Sequence, residues 1–285
     1  MWTLAQPSVD LLDEQLTNAL TYANGQPVYP LSLVERQAIH ATYQLYDALS
    51  GEASATLKPV ALDACRSAMM TAYGQVQIGG RLVSLRSALL ASTGVCPYCG
   101  FGEVTQLDHY LPISEYGELA IYPRNLVPSC GPCNNAKRAI VAGGAIAGFI
   151  HTYFEPLPDA TFLHADIAFV DGTLDVTFRI LPGLVSGAVE AKLTCQLERL
   201  KLNARYPSQI NKFLSEQRLA ITMVSQGLVG SLILAKFLDR SAAAMAVTFG
   251  RNDWRPALLR ALALNGEFCD QPELYFGERV LAPEE

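Results

Sequence analysis

The sequence is short of charge, and the charge it carries has the wrong sign for a protein that grips nucleic acid over its whole surface. Asp, Glu, Lys and Arg make up 17% of the 285 residues, and the formal net charge is −6. Any contact with a phosphate backbone must therefore come from a local patch. An unbroken apolar run of membrane length is also missing. The most hydrophobic stretch, Leu219 to Phe237, is interrupted by Ser225, Gln226, Ser231 and Lys236, and reads as a buried helix with no membrane contact. Met1 is followed by Trp2-Thr-Leu-Ala-Gln-Pro-Ser8, with neither a basic nor an apolar leader segment, so a reducing, cytoplasmic compartment is expected. Internal repeats, low-complexity tracts and a phosphate-loop lysine are lacking too. An ATP-driven step would need another polypeptide. What the chain does have is hydrophobic content, at 50%, enough for one large core or two small ones.

The pattern of that content is mainly helical. Apolar residues recur at three- and four-residue steps over Leu33–Leu49 and Leu62–Tyr73, with Pro30 and Pro59 as interruptions. A turn is expected at Gly79-Gly80, followed by a helix leading towards Val95. Residues 141–150 are rich in Ala and Gly and suit a close-packed helix extension. Ile167–Ile180 alternates about Asp171-Gly172, a hairpin signal. Helices return from Val189, with breaks expected at Pro207, Gly250 and Pro256. Three regions result: a helical one over 1–90, a compact one over 91–140, and a mainly helical one over 141–285 with a hairpin near 167–180.

The compact region holds four of the seven cysteines, as Cys96-Pro-Tyr-Cys99 and Cys130-Gly-Pro-Cys133. Two such knuckles can wrap one tetrahedral cation, and four thiolates leave no position open for water. A zinc held this way is structural and replaces a core that so small a module cannot build. A redox pair or two unrelated hairpins are the alternatives for such spacing. Cys65, Cys195 and Cys269 read as small buried hydrophobes.

Between and beyond the knuckles stand Leu107-Asp108-His109-Tyr110-Leu111-Pro112, then Arg124-Asn125-Leu126-Val127-Pro128-Ser129, then Cys133-Asn134-Asn135-Ala136-Lys137-Arg138. Over Cys96–Arg138 this resembles the HNH endonuclease family. The fold class implied is α+β: mainly helical, with a central ββα-metal module that contains the four-cysteine zinc site. His109, neutral near physiological pH, suits a base that takes a proton from water. Asp108 and Asn134 offer hard oxygen atoms, which favour Mg²⁺ or Mn²⁺ over a second zinc. The resemblance implies that Asn125 holds the loop orienting His109 and that Lys137 and, more weakly, Arg138 and Arg124 touch DNA phosphates. Asn134 stands where the family often has histidine, an HNN variant, and it could equally be a helix cap. A neutral ligand there weakens the affinity of the site for its cation.

The run Asp108–Tyr116 with Asn125–Cys130, joined by Leu200–Tyr206 and the segment beginning at Trp254, is similar to the nuclease subunit of Septu-type bacterial antiphage systems, which works with an ATPase. Ile113 departs from the lysine usual in those proteins. The expected function is a metal-dependent DNA endonuclease. A zinc-ribbon binding module without catalysis, or an RNA-cutting effector built on the same residues, are the rivals. Lys192–Arg218 is the most basic stretch and Arg81 with Arg86 a second possible groove, though solvated helix faces explain the former as well. His40 and His164 read as ordinary helix and hairpin residues, and a place near the site is a secondary reading for His151.

Overall fold

The computed structural model describes residues 3–22, 24–141, 147–170, 173–226 and 230–276. The chain divides into two compact units, one of Met1–Leu157 with Ala191–Leu200, the other of Pro158–Glu190 with Lys201–Glu285.

In the first unit, α1 (Leu12–Ala19) and α2 (Leu33–Ala48) precede α3 (Arg66–Ala72) and α4 (Val83–Ala91). The start of α2 is written in the sequence. Ser32 accepts from the Glu35 N–H, and the Glu35 carboxylate accepts from the Ser32 N–H, a reciprocal capping box. One face of α2 buries Ile39, Tyr43 and Tyr46, spaced at three and four residues as the apolar pattern required. The chain then forms two short antiparallel strands, β1 (Gln106–His109) and β2 (Leu126–Ser129), with Asp108 opposite Val127 and His109 opposite Leu126. Helix α5 (Gly131–Lys137) follows at once, with Cys130 as its N-cap. Helix α6 (Gly187–Arg199) contributes its stretch from Ala191 onward to this unit.

The second unit pairs β3 (Leu163–Val170) with β4 (Thr173–Ile180) and adds α7 (Leu202–Ser225), α8 (Gly230–Phe249), α9 (Trp254–Leu264) and α10 (Gly266–Asp270). Asn252 ties it together. Its buried side-chain oxygen accepts from Phe162 N (2.8 Å) and Leu163 N (3.0 Å), and its amide donates to Ala160 O (2.8 Å). Asn252→Ala would strand three backbone groups. A loss of about 2–3 kcal/mol is expected, read as a lower denaturant midpoint with an unchanged slope.

Several expectations need correction. The hairpin begins four residues earlier than its alternation suggested, at Leu163 and not Ile167; its turn, Asp171-Gly172, lies outside the described residues. Pro207 lies inside α7 and does not break it, because Tyr206 and Ile210 on either side are buried and hold the helix across the missing donor. Pro256 lies in the first turn of α9, where no N–H is needed, behind the Asp253 cap. Leu219–Phe237 is not one buried helix: α7 ends at Ser225, α8 starts at Gly230, and Leu219, Met223 and Leu232 are exposed. Among the described residues no helix is long and apolar enough to cross a membrane. Of 141–150, residues 142–146 lie outside the described residues, and Phe149 and Ile150 are buried without being helical.

Candidate metal centre and the adjoining cleft

The four knuckle cysteines come together. All four Sγ atoms lie within 4.8 Å of one another and all four residues are buried. Cys99 Sγ and Cys130 Sγ are 3.9 Å apart. Sulfurs bound about 2.3 Å from one tetrahedral cation stand roughly 3.8 Å apart, whereas a disulfide needs about 2 Å. So many thiolates at this separation repel strongly, and a cation in their midst removes the repulsion. The cluster can therefore hold a metal ion, and among the described residues it is the one group of three or more His, Cys, Asp or Glu ligands.

The backbone of the first knuckle explains how the pair is presented. Gly100 N donates to Cys96 O (2.8 Å), Cys96 N to Gly102 O (2.8 Å), and Gly102 N to Cys99 Sγ (3.3 Å). A Cβ at Gly102 would lie 2.7 Å from Cys130 Sγ and 2.8 Å from Cys130 Cβ, so only glycine fits. Gly102→Ala is expected to weaken metal affinity about 10- to 100-fold, measured by competition with a chromophoric chelator.

Beside the cluster a cleft of 300 Å³ is lined by Tyr73, Asp108, His109, Asn134 and Arg138 among others. Strand β1 sends Asp108 and His109 there, α5 supplies Asn134, and the residue that caps its C-terminus supplies Arg138. His109 Nε2 lies 2.8 Å from Ala120 O. A carbonyl can only accept, so Nε2 carries the proton and Nδ1 keeps its lone pair. Burial, assisted by the Lys137 ammonium, brings the His109 pKa down to about 4, against the pull of the Ala120 carbonyl. Its imidazole is neutral at cellular pH. The Tyr73 ring, which contacts it edge-on with 4.3 Å between centroids, helps to fix its plane.

Asp108 is buried, and burial pushes its carboxyl above the usual carboxylate range while Lys137 and Tyr98 pull it back. Tyr98 Oη donates to Oδ2 (2.8 Å) and Lys137 Nζ stands 3.0 Å from the same atom. Oδ1 has no donor among the described residues. Asn134 lies inside α5, so it is not the helix cap; its amide donates to Gln106 Oε1 (2.8 Å) and its own oxygen stays uncommitted among the described residues. Asn125 is wholly buried. Its oxygen accepts from Leu111 N (2.8 Å), and its amide donates to Leu111 O (3.1 Å) and Leu119 O (3.3 Å), so it clamps both ends of the loop that presents the Ala120 carbonyl.

Apart from Arg138, the basic residues named from the sequence are placed differently from expectation. Lys137 is fully buried and donates to His109 O (2.8 Å) and Tyr110 O (3.1 Å), stitching α5 to β1 in place of facing phosphate. Arg124 is paired with Asp47 and reaches Pro7 O. Arg81 donates to Thr21 O and Tyr22 O, and Arg86 to Thr105 O, so neither heads an open groove. Within Lys192–Arg218, Lys192 is held by Glu52 and Glu155. Arg138 is exposed on the cleft at a backbone φ of +49°. His40 pairs with Asp13 and His164 with Asp166, whereas His151 is buried in the first unit.

Sequence reasoning missed Tyr73 and the part played by Tyr98. Tyr98 stood inside the first knuckle and could have been found there. Tyr73 carries no local signal.

Comparison with known proteins matches residues 96–139 to the family model of HNH endonuclease. Over 142 residues the chain is 32% identical to protein ea31 of Escherichia phage lambda, covering 45% of this chain and 45% of that protein. The match thus spans about half the length of that relative. No solved structure matches the chain. Residues 96–139, with the four-cysteine cluster they carry, correspond to an HNH endonuclease domain.

Proposed function

We propose that this chain is a metal-dependent DNA endonuclease of the HNN variant, built on a ββα-metal module. The observation that carries the reading is the His109 ring, neutral and held by Ala120 O with its Nδ1 lone pair free, in a cleft shared with Asp108 and Asn134. The Cys96, Cys99, Cys130 and Cys133 cluster fits a structural Zn²⁺ by its buried, closed set of sulfurs. Asp108 and Asn134 fit Mg²⁺ or Mn²⁺, which commonly takes one or two protein oxygens and fills its remaining positions with water and substrate phosphate. When bound, that cation supplies positive charge for the phosphate oxygens and for the leaving oxygen.

The residues of the chain do the rest. His109 Nδ1 accepts a proton from a water aligned with the scissile phosphorus, while Ala120 O holds the ring in the productive tautomer. Asn125 keeps the Ala120 loop in place. Lys137 acts from inside, balancing Asp108 and fixing the backbone at His109, so phosphate contact is left to Arg138. A neutral Asn134 makes the site less negative than one with two carboxylates, so cleavage is expected to need a high concentration of free metal.

A role in bacterial antiphage defence with a partner ATPase, in the cytoplasm, rests on the likeness of Asp108–Tyr116 and Asn125–Cys130 to Septu-type nucleases. Parallel assays on DNA and RNA of one sequence, with Mg²⁺ or Mn²⁺ and with the candidate ATPase present and absent, test substrate and partner together. DNA cleavage in preference to RNA is the expected result. RNA cleavage alone would replace the reading with that of an RNA-cutting effector.

A further inference from the structure

Two buried side chains outside the 96–139 segment converge on Asn125. His151 is 1% exposed and Tyr46 is not exposed at all. His151 Nδ1 accepts from Tyr153 N (3.2 Å), so in the neutral ring the proton sits on Nε2, which faces Tyr46 Oη at 2.9 Å. Tyr46 Oη lies in turn 3.1 Å from Asn125 Oδ1, nearer than the Arg124 carbonyl at 3.5 Å, so Asn125 is its preferred acceptor. Each link then has one donor and one acceptor: His151 Nε2–H to Tyr46 Oη, and Tyr46 O–H to Asn125 Oδ1. The reversed direction would set the Tyr153 N–H against a second donor, so the chain has a fixed polarity. It also fixes the Asn125 amide, whose nitrogen must then face Leu111 O and Leu119 O. The surroundings are built for it. At Gly51, with φ +76°, a Cβ would come within 2.2 Å of His151 Cδ2 and 3.2 Å of Tyr46 Oη.

We propose that His151 and Tyr46 form a buried positioning relay that sets the Asn125 amide and, through the 111–120 loop, the Ala120 carbonyl that selects the His109 tautomer. The proposal rests on the reading of His109 as the base. Neither residue touches the cleft; both act through Asn125. The surface helix α2 and the segment after the HNH-matching residues are thereby parts of the catalytic apparatus.

The test uses the full chain loaded with zinc and carrying Tyr46→Phe, which removes only the hydroxyl. The single-turnover rate on plasmid DNA with Mg²⁺ is expected to fall about tenfold, as for a base displaced by a fraction of an ångström, with half-saturating DNA concentration and zinc content unchanged. His151→Leu should behave alike, and His151→Gln, which keeps a side-chain N–H, should recover part of the rate. Nitrogen NMR of the imidazoles supplies a readout without cleavage. With four histidines in the chain, His109 and His151 should appear as Nε2–H tautomers in the wild type. In Tyr46→Phe, His109 should move towards a mixture. An unchanged His109 spectrum in Tyr46→Phe overturns the relay whether or not the wild type cuts DNA, and so does a rate that falls only with the zinc-loaded fraction. Failure of the wild type to cleave, with the spectral change present, strikes at the endonuclease reading alone.

Discussion

His109→Ala is expected to lower the single-turnover rate of DNA cleavage by about 10²- to 10⁴-fold, the usual contribution of a positioned general base. The reason is specific to the geometry. The ring has one nitrogen committed to Ala120 O at 2.8 Å, and the other is the sole imidazole lone pair on the cleft among the described residues. Its neighbours on the cleft are poor substitutes: Asp108 has Oδ2 committed to Tyr98 and Lys137 and its Oδ1 is the oxygen proposed for the cation, and the Tyr73 hydroxyl donates to Leu107 O at 3.1 Å. The fold should survive, because Lys137 holds the strand through the His109 backbone oxygen and not through the ring. Zinc content and circular dichroism equal to the wild type, measured beside the rate, separate loss of the base from loss of structure. A rate within a few-fold of the wild type would remove His109 from the mechanism.

Removing the metal proposed for the four-cysteine cluster is expected to have a larger effect on the fold than any single substitution in the cleft. Strands β1 and β2 are four residues each and α5 is seven, elements too short to persist alone. Cys130 joins them: it follows the end of β2, caps α5 and supplies one of the four sulfurs. Binding of a structural zinc at four thiolates is worth on the order of 10 kcal/mol, and this is folding free energy where no site exists in the unfolded segment. Chelation, or Cys130→Ser, should therefore release the amides of 96–139 to rapid hydrogen exchange and abolish cleavage. The second unit, which contains no part of the cluster, should keep its protection. Titration should find a single zinc ion per chain. Retained protection over 96–139 after complete metal removal would show that the cysteines pack as ordinary core.

The difference between what could be read from the sequence and what could not follows from the range of the interactions. Knuckle spacing, the Asp108-His109 pair and the capping box at Ser32 are local, and each forces its chemistry through a handful of consecutive residues. Pro207 and Pro256 misled because a proline's effect depends on position in the helix and on burial around it, neither of which is a local property. Lys137 misled for the same reason: a lysine at the end of a helix usually reaches water, and this one is turned inward by Asp108 and the backbone carbonyls of His109, the last residue of β1, and of Tyr110 just beyond it. Tyr73 and Tyr46 reach the site from helices far away in sequence, and only the folded chain places them beside His109 and Asn125. The basic stretch 192–218 left a phosphate-tracking face and a solvated helix face both open, and its first residue, Lys192, belongs to neither, being paired with Glu52 and Glu155.

The central claim is that the cleft beside the four-cysteine cluster hydrolyses DNA with a bound divalent cation. Its most direct test is conversion of supercoiled plasmid by zinc-loaded protein dialysed free of other metals, followed across a titration of Mg²⁺ and of Mn²⁺. Cleavage that rises from background and saturates with either ion, in wild type and not in His109→Ala, is the predicted result. Background cleavage at every metal concentration, with the candidate partner present, would contradict it and leave a zinc-stapled binding module in its place.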